Sequence, residues 1–190
     1  MPSHEEESDR EERRAAGAPE GLDPHEAQRD ARRLALGATF EADFGQNTAA
    51  RILERRITDE GVTDPAADLA RRIVSSVVAK RDVIDARIEA LAPRYPVVQL
   101  ARIDRALLRS AMAELLHSRA TPARVAIAEW VELARTYSGE PARRLLNGVL
   151  GRVAREAADR GPEMPASGSS SEGGKDRDSG NDRDTGGSTG

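Results

Sequence analysis

Apolar residues recur through the middle of this chain at intervals of three and four, with polar residues between them. No stretch alternates at every second position, so the pattern predicts helices and no strands. Leu36, Phe40 and Phe44 fall at i, i+4 and i+8 and predict one buried stripe on a first helix. That helix opens at Asp23-Pro24, an N-cap aspartate followed by proline at the first helical position, and Gly45-Gln46-Asn47 stops it. Arg29, Arg32 and Arg33 project on the side of the stripe, nearer the start. Thr48 is placed to cap a second helix carrying Ile52, Leu53 and Ile57 and ending near Gly61. Thr63-Asp64-Pro65 repeats the cap-plus-proline start. The third helix then runs to Leu91, with Leu69, Ile73, Val77, Ile84, Ile88 and Leu91 inward and a possible break near Lys80-Arg81. Pro93 and Pro96 end it and hold Arg94-Tyr95 extended.

The fourth helix, about 98–117, has Leu100, Ile103, Leu107, Ala111 and Leu115 as its stripe. Arg102, Asp104, Arg105 and Arg109 fall on other faces, as solvated charges or local ion pairs. Thr121-Pro122 opens a fifth helix, and a tight turn at Ser138-Gly139 leads into a sixth at Pro141. Ala142, Leu145, Leu146, Val149, Leu150 and Val153 form the stripe of this last helix. Glu140 suits its positive end, whereas Arg143 and Arg144 oppose the dipole there and are candidates for work elsewhere. The expected architecture is all-α: six to seven helices in two stacked bundles, residues 23–92 and 97–160, joined at 92–97.

Composition narrows the reading. Of 190 residues only 3% are aromatic, which suits a core of Leu, Val, Ile and Ala. Cysteine is absent, so disulfides and thiolate metal sites are excluded. No apolar run approaches the roughly 20 residues of a membrane span, and the amino terminus lacks the apolar core of a signal peptide, so cytoplasm is the default. The net charge of −4 hides an asymmetry: residues 1–22 carry −4, residues 161–190 carry −3, and the middle is mildly basic at +3. Residues 1–22 are charged and poor in apolar side chains, and 161–190 are Gly-, Ser- and Asp-rich, so both are expected to be disordered tails. A basic body permits nucleic-acid binding without requiring it. Lys80 and Lys175 are the only lysines, a bias that genomic base composition explains.

Phosphate loops, HExxH, Gly-x-Ser-x-Gly and CxxC are all absent, so no enzyme, cofactor or metal site is expected. Glu129 and Glu132, one turn apart, fit a solvated face better than an acid–base pair. His117 ends a helix, where a cation suits the dipole. Trp130 and Tyr137 read as core and boundary residues rather than base-stacking platforms. Asn147, inside an apolar stripe, either bonds backbone in a neighbouring loop or touches a ligand. Arg29, Arg32 and Arg33 are either a charged helix end or phosphate contacts.

Three segments carry a family resemblance. Residues 125–134, VAIAEWVELA, resemble the VAINEAVELAK of the NusB family of transcription antitermination factors; 145–150, LLNGVL, resemble its FVNGVL; and 104–115, DRALLRSAMAEL, resemble its EKAVLRIALYEL. The similarity spans roughly 28–155 and is weaker in the first helix, where Gly37, Thr39 and Phe40 stand against the family's glutamine, leucine and tyrosine. Trp130 is bulkier than the usual residue, and Gly139-Glu140-Pro141 lacks an acid after the glutamate. The resemblance implies two helical subdomains. It also implies binding to the boxA element of nascent ribosomal RNA leaders with the ribosomal protein NusE, within an RNA polymerase antitermination complex. Arg29, Arg32 and Arg33, Arg109, and Arg143 and Arg144 match its basic positions and are the expected RNA-binding residues. Two alternatives stand beside it: a helical adaptor that binds protein alone, and a relative of the amino-terminal domain of ribosomal RNA cytosine methyltransferases.

Overall fold

The computed structural model describes residues 23–62, 64–117 and 121–159. Both charged tails and Thr63 lie outside them, and with them the expectations of disorder and of a Thr63 cap. The described residues form six α-helices and no strand: α1 (Pro24–Ala42), α2 (Ala49–Glu60), α3 (Asp64–Leu91), α4 (Arg102–His117), α5 (Ala123–Tyr137) and α6 (Glu140–Asp159). A 3-10 turn, Val97–Gln99, precedes α4.

Local chemistry explains the boundaries. Asp23 accepts a hydrogen bond from His25 N at 3.0 Å, with Pro24 opening α1. Thr48 accepts from Arg51 N at 3.3 Å, and Gly61, left-handed at φ +60°, closes α2. α3 breaks at Lys80 (φ −127°, ψ 21°), where the sequence allows a break. The fifth helix differs: Pro122, whose side chain has no polar atom, occupies the cap position with no side-chain bond, and the Thr121 hydroxyl instead accepts from Arg32 Nη2 at 3.4 Å.

α1, α2 and α3 pack on one another, as do α4, α5 and α6, while α4 also packs along α1 and α3. One continuous apolar core therefore runs through both bundles. Leu107 and Leu146 are completely buried in it. α4 begins at Arg102 rather than near 98, because residues 97–99 wind as a 3-10 turn and Leu100 is extended. It is buried on most of its circumference: Leu108, Met112, Arg109, Ser110 and Glu114 join Leu107 and Ala111 inside. A helix flanked on several sides has no single apolar stripe. Phe44 is a second correction. α1 stops at Ala42 and Gly45 turns the chain at φ +78°, so Phe44 stands outside, 51% exposed, instead of continuing the stripe.

Candidate nucleic-acid interface

The six arginines expected to meet RNA divide into two groups. Arg32 and Arg109 are interior, at 1% and 4% exposure, and do not offer a guanidinium to a polyanion. Arg32 on α1 forks onto Glu114 of α4 (Nε to Oε2 3.0 Å, Nη2 to Oε1 2.7 Å) and donates to the Gln28 carbonyl at 3.2 Å. Trp130 of α5 completes the set, its indole N–H donating to Glu114 Oε2 at 2.7 Å. Arg109 forks onto Asp85 of α3 (2.8 and 2.7 Å) and reaches Asp43 at 3.2 Å, where Arg105 also donates at 2.9 Å. Burial opposes the Arg109 charge, but the bonds and charge of Asp85, with Asp43, outweigh it and raise its pKa. Both clusters hold helices together. Their basic positions are accounted for by internal carboxylates, which place them apart from the exposed basic residues.

Arg29, Arg33, Arg143 and Arg144 lie on or near the surface. Arg29 bonds Glu129 at 3.2 Å, and Arg33 pairs with Asp30 at 3.3 Å and Glu60 at 3.5 Å. Arg143 and Arg144 share Glu140, at 2.7 and 3.0 Å. Those two hydrogen bonds hold the exposed Glu140 carboxyl down at about 2. Glu132, pulled down first by its Arg135 bonds, also feels the charges of Arg29 and Arg143. The start of α1 and the start of α6 thus share one face across α5. Asn147 is exposed, and no described residue bonds its side chain. His117 ends α4 beside another cation: burial, and then the charge of Lys80, lower its pKa, and Lys80 Nζ sits 3.2 Å from its Nδ1.

Sequence spacing misses a concavity on the surface. A groove of about 660 Å³ lies between the 91–100 connection and α6. Leu91, Leu100, Leu145 and Val149 form its apolar lining; Arg94, Tyr95, Arg144 and Arg152 provide its polar and aromatic groups. Asp104 reaches it from α4 and accepts a hydrogen bond from Ser138. Arg152 donates to the Leu91 carbonyl, tying α6 to the connection. Tyr95 and Tyr137 are both about half exposed, and Tyr137 immediately precedes the serine that holds Asp104. In a chain with five aromatic residues, two exposed ones therefore sit around the first turn of α4. Of the six arginines expected at the interface, only Arg144 lines the groove. The signal that could have found it is Arg94-Tyr95 itself, a cation and an aromatic ring held between two prolines.

The model of the NusB family matches residues 29–155. The chain is 37% identical over 133 residues to the transcription antitermination protein NusB of Dehalococcoides mccartyi, covering 70% of this chain and 93% of that protein. It is 40% identical over 121 residues to the NusB of Chloroflexus aggregans, covering 63% and 81%. Among solved structures, T. maritima NusB superposes with a TM-score of 0.63 at 32% identity, covering 69% of this chain and 92% of that one. NusB in a complex with NusE and double-stranded RNA superposes at 0.61 with 23% identity, covering 69% and 98%, a likeness of fold.

Proposed function

The chain belongs to the NusB family, and from that premise we propose that it is a transcription antitermination factor that binds the boxA element of nascent ribosomal RNA leaders together with NusE. It works by binding rather than catalysis, in the cytoplasm, as part of the assembly that lets RNA polymerase read through terminators. The observation that carries the RNA reading is the groove. Single-stranded RNA is recognised by cations on phosphates and by planar side chains on unstacked bases. Arg94, Arg144 and Arg152 beside the Tyr95 ring and an apolar floor supply both. Asp104 repels phosphate but can accept from a base amino group, which favours bases turned inward and phosphates outward. Arg29, Arg33 and Arg143 extend the basic face, and each of them, like Arg144 in the groove, must exchange a carboxylate for a phosphate to contribute.

Filter binding of a boxA RNA across a salt series tests this. Each phosphate contact on a single strand contributes roughly −0.7 to the slope of log K against log salt. Replacing Arg94 and Arg144 by alanine should weaken binding and flatten the slope by about 1.4 units. Replacing Arg29, Arg33 and Arg143 should have a smaller effect. A groove variant that binds with unchanged affinity and slope would leave the helical adaptor as the better reading.

A further inference from the structure

Resting on the RNA reading, we propose that Phe44 and Arg102 form a stacking subsite outside the groove, which takes one unpaired base of the same RNA on the outer plane of Arg102. The Arg102 Cζ lies 4.5 Å from the centroid of the Phe44 ring, and Phe40 meets that ring edge-on at 5.3 Å. The guanidinium is thereby held over a ring, and the residue is otherwise open to solvent. Both residues are exposed, Phe44 at 51%.

Arg102 has no carboxylate partner among the described residues, as Arg94 in the groove has none, and what sets it apart is the aromatic ring it lies over. Arg29, Arg33, Arg105, Arg143 and Arg144 each lie within 3.5 Å of a carboxylate, whereas among the described residues none pairs with Arg102. Asp43, the acid beside Phe44 in sequence, is taken up by Arg105 and Arg109. An unpaired, pre-oriented guanidinium stacks on a base and keeps its edge for a phosphate, two uses that a lysine could not combine. Position supports the same occupant. Leu100 and Asp104, two residues to either side of Arg102 in sequence, both line the groove, so the subsite lies within one helical turn of it along the chain. Gly45, Gln46 and Asn47, which follow Phe44, are exposed and offer no apolar rim on which a protein side chain could seat.

The test uses the full chain, alone and with NusE, and a single-stranded boxA RNA carrying 2-aminopurine at successive positions. In the wild type one position outside the groove footprint is quenched by stacking. Phe44→Leu and Arg102→Ala should each abolish that quenching and weaken binding about tenfold. Phe44→Leu should leave the salt slope alone, and Arg102→Ala should flatten it by about 0.7. Tyr95→Ala, a groove variant, should weaken binding but keep the quenching at that position. Circular dichroism confirms folding, and the exposed Arg102→Ala carries the test if Phe44→Leu loses structure. If the wild type binds RNA and both variants bind it equally well with quenching intact, the subsite is overturned and the groove stands. Variants that keep RNA affinity but lose NusE overturn it in favour of a protein contact. A wild type that binds no boxA RNA overturns both readings.

Discussion

Removing Glu114 separates an architectural arginine from an RNA-contacting one. Glu114→Ala deletes the partner of an Arg32 guanidinium that is 1% exposed, and it removes the acceptor of the Trp130 indole as well. With both charges excluded from water, no solvent screening softens the loss, and breaking such a pair costs about 3–5 kcal/mol. The exposed Arg29–Glu129 pair, by contrast, has its arginine 62% exposed and should contribute less than ~1 kcal/mol. Replacing both partners, Arg32→Met with Glu114→Leu, removes the orphaned charge. The remaining loss should be that of an unsatisfied indole donor, about 1–3 kcal/mol. The double variant is thus expected to be more stable than either single one. Urea denaturation of Glu114→Ala and of the four proteins in the Arg32→Met, Glu114→Leu cycle, followed by far-UV circular dichroism, measures this. A Glu114→Ala loss below ~1 kcal/mol, or a double variant as destabilised as the two singles summed, would refute the reasoning. RNA binding supplies the other arm: Arg32→Met should leave the salt slope unchanged, because Arg32 reaches no phosphate.

Three further outcomes are expected. Leu107→Ala and Leu146→Ala, each in a completely buried site, should cost about 2–5 kcal/mol in the same denaturation assay, and a loss under ~0.5 kcal/mol would be incompatible with that burial. A chain trimmed to residues 23–160, which holds all the apolar periodicity, should keep a cooperative thermal melt followed by circular dichroism. Glu140, whose folded pKa is lowered from 4.5 to about 2, favours the folded state fully above 4.5, and that contribution fades as pH falls through about 2. Its grip on Arg143 and Arg144 therefore holds through pH 5–8, and Glu140→Gln should tighten RNA binding and steepen the salt slope in a pH-independent way, read by filter binding.

The helices were legible because the chain punctuates them. Asp23-Pro24, Thr48, Gly61 and the Pro93/Pro96 pair act through bonds and dihedrals within a few residues, which spacing can see. The fate of Arg32 was not legible, since Glu114 lies 82 residues away and an arginine reads the same whether its partner is solvent, phosphate or a buried acid. Arg109 misled for the same reason: Asp85 is 24 residues off, on another helix. Phe44 misled differently, because its i+8 spacing carries the stripe past the point where Gly45 turns the chain. The groove needed α6 to pack against the connection, a juxtaposition that no local pattern encodes.

The partition of charges between the two bundles also bears on how the chain is made. Synthesis runs from the amino terminus, so α1, α2 and α3 exist before any residue of α4. During that interval Asp43 and Asp85 lack Arg109, and Arg32 lacks Glu114, although all of them belong to the finished interior or its edge. At about 5–20 residues per second the missing helix follows within seconds. Until it leaves the ribosome, these groups have water in place of their partners on α4. α4 then brings a cation for one cluster and an anion for the other, so both clusters are completed by a single helix.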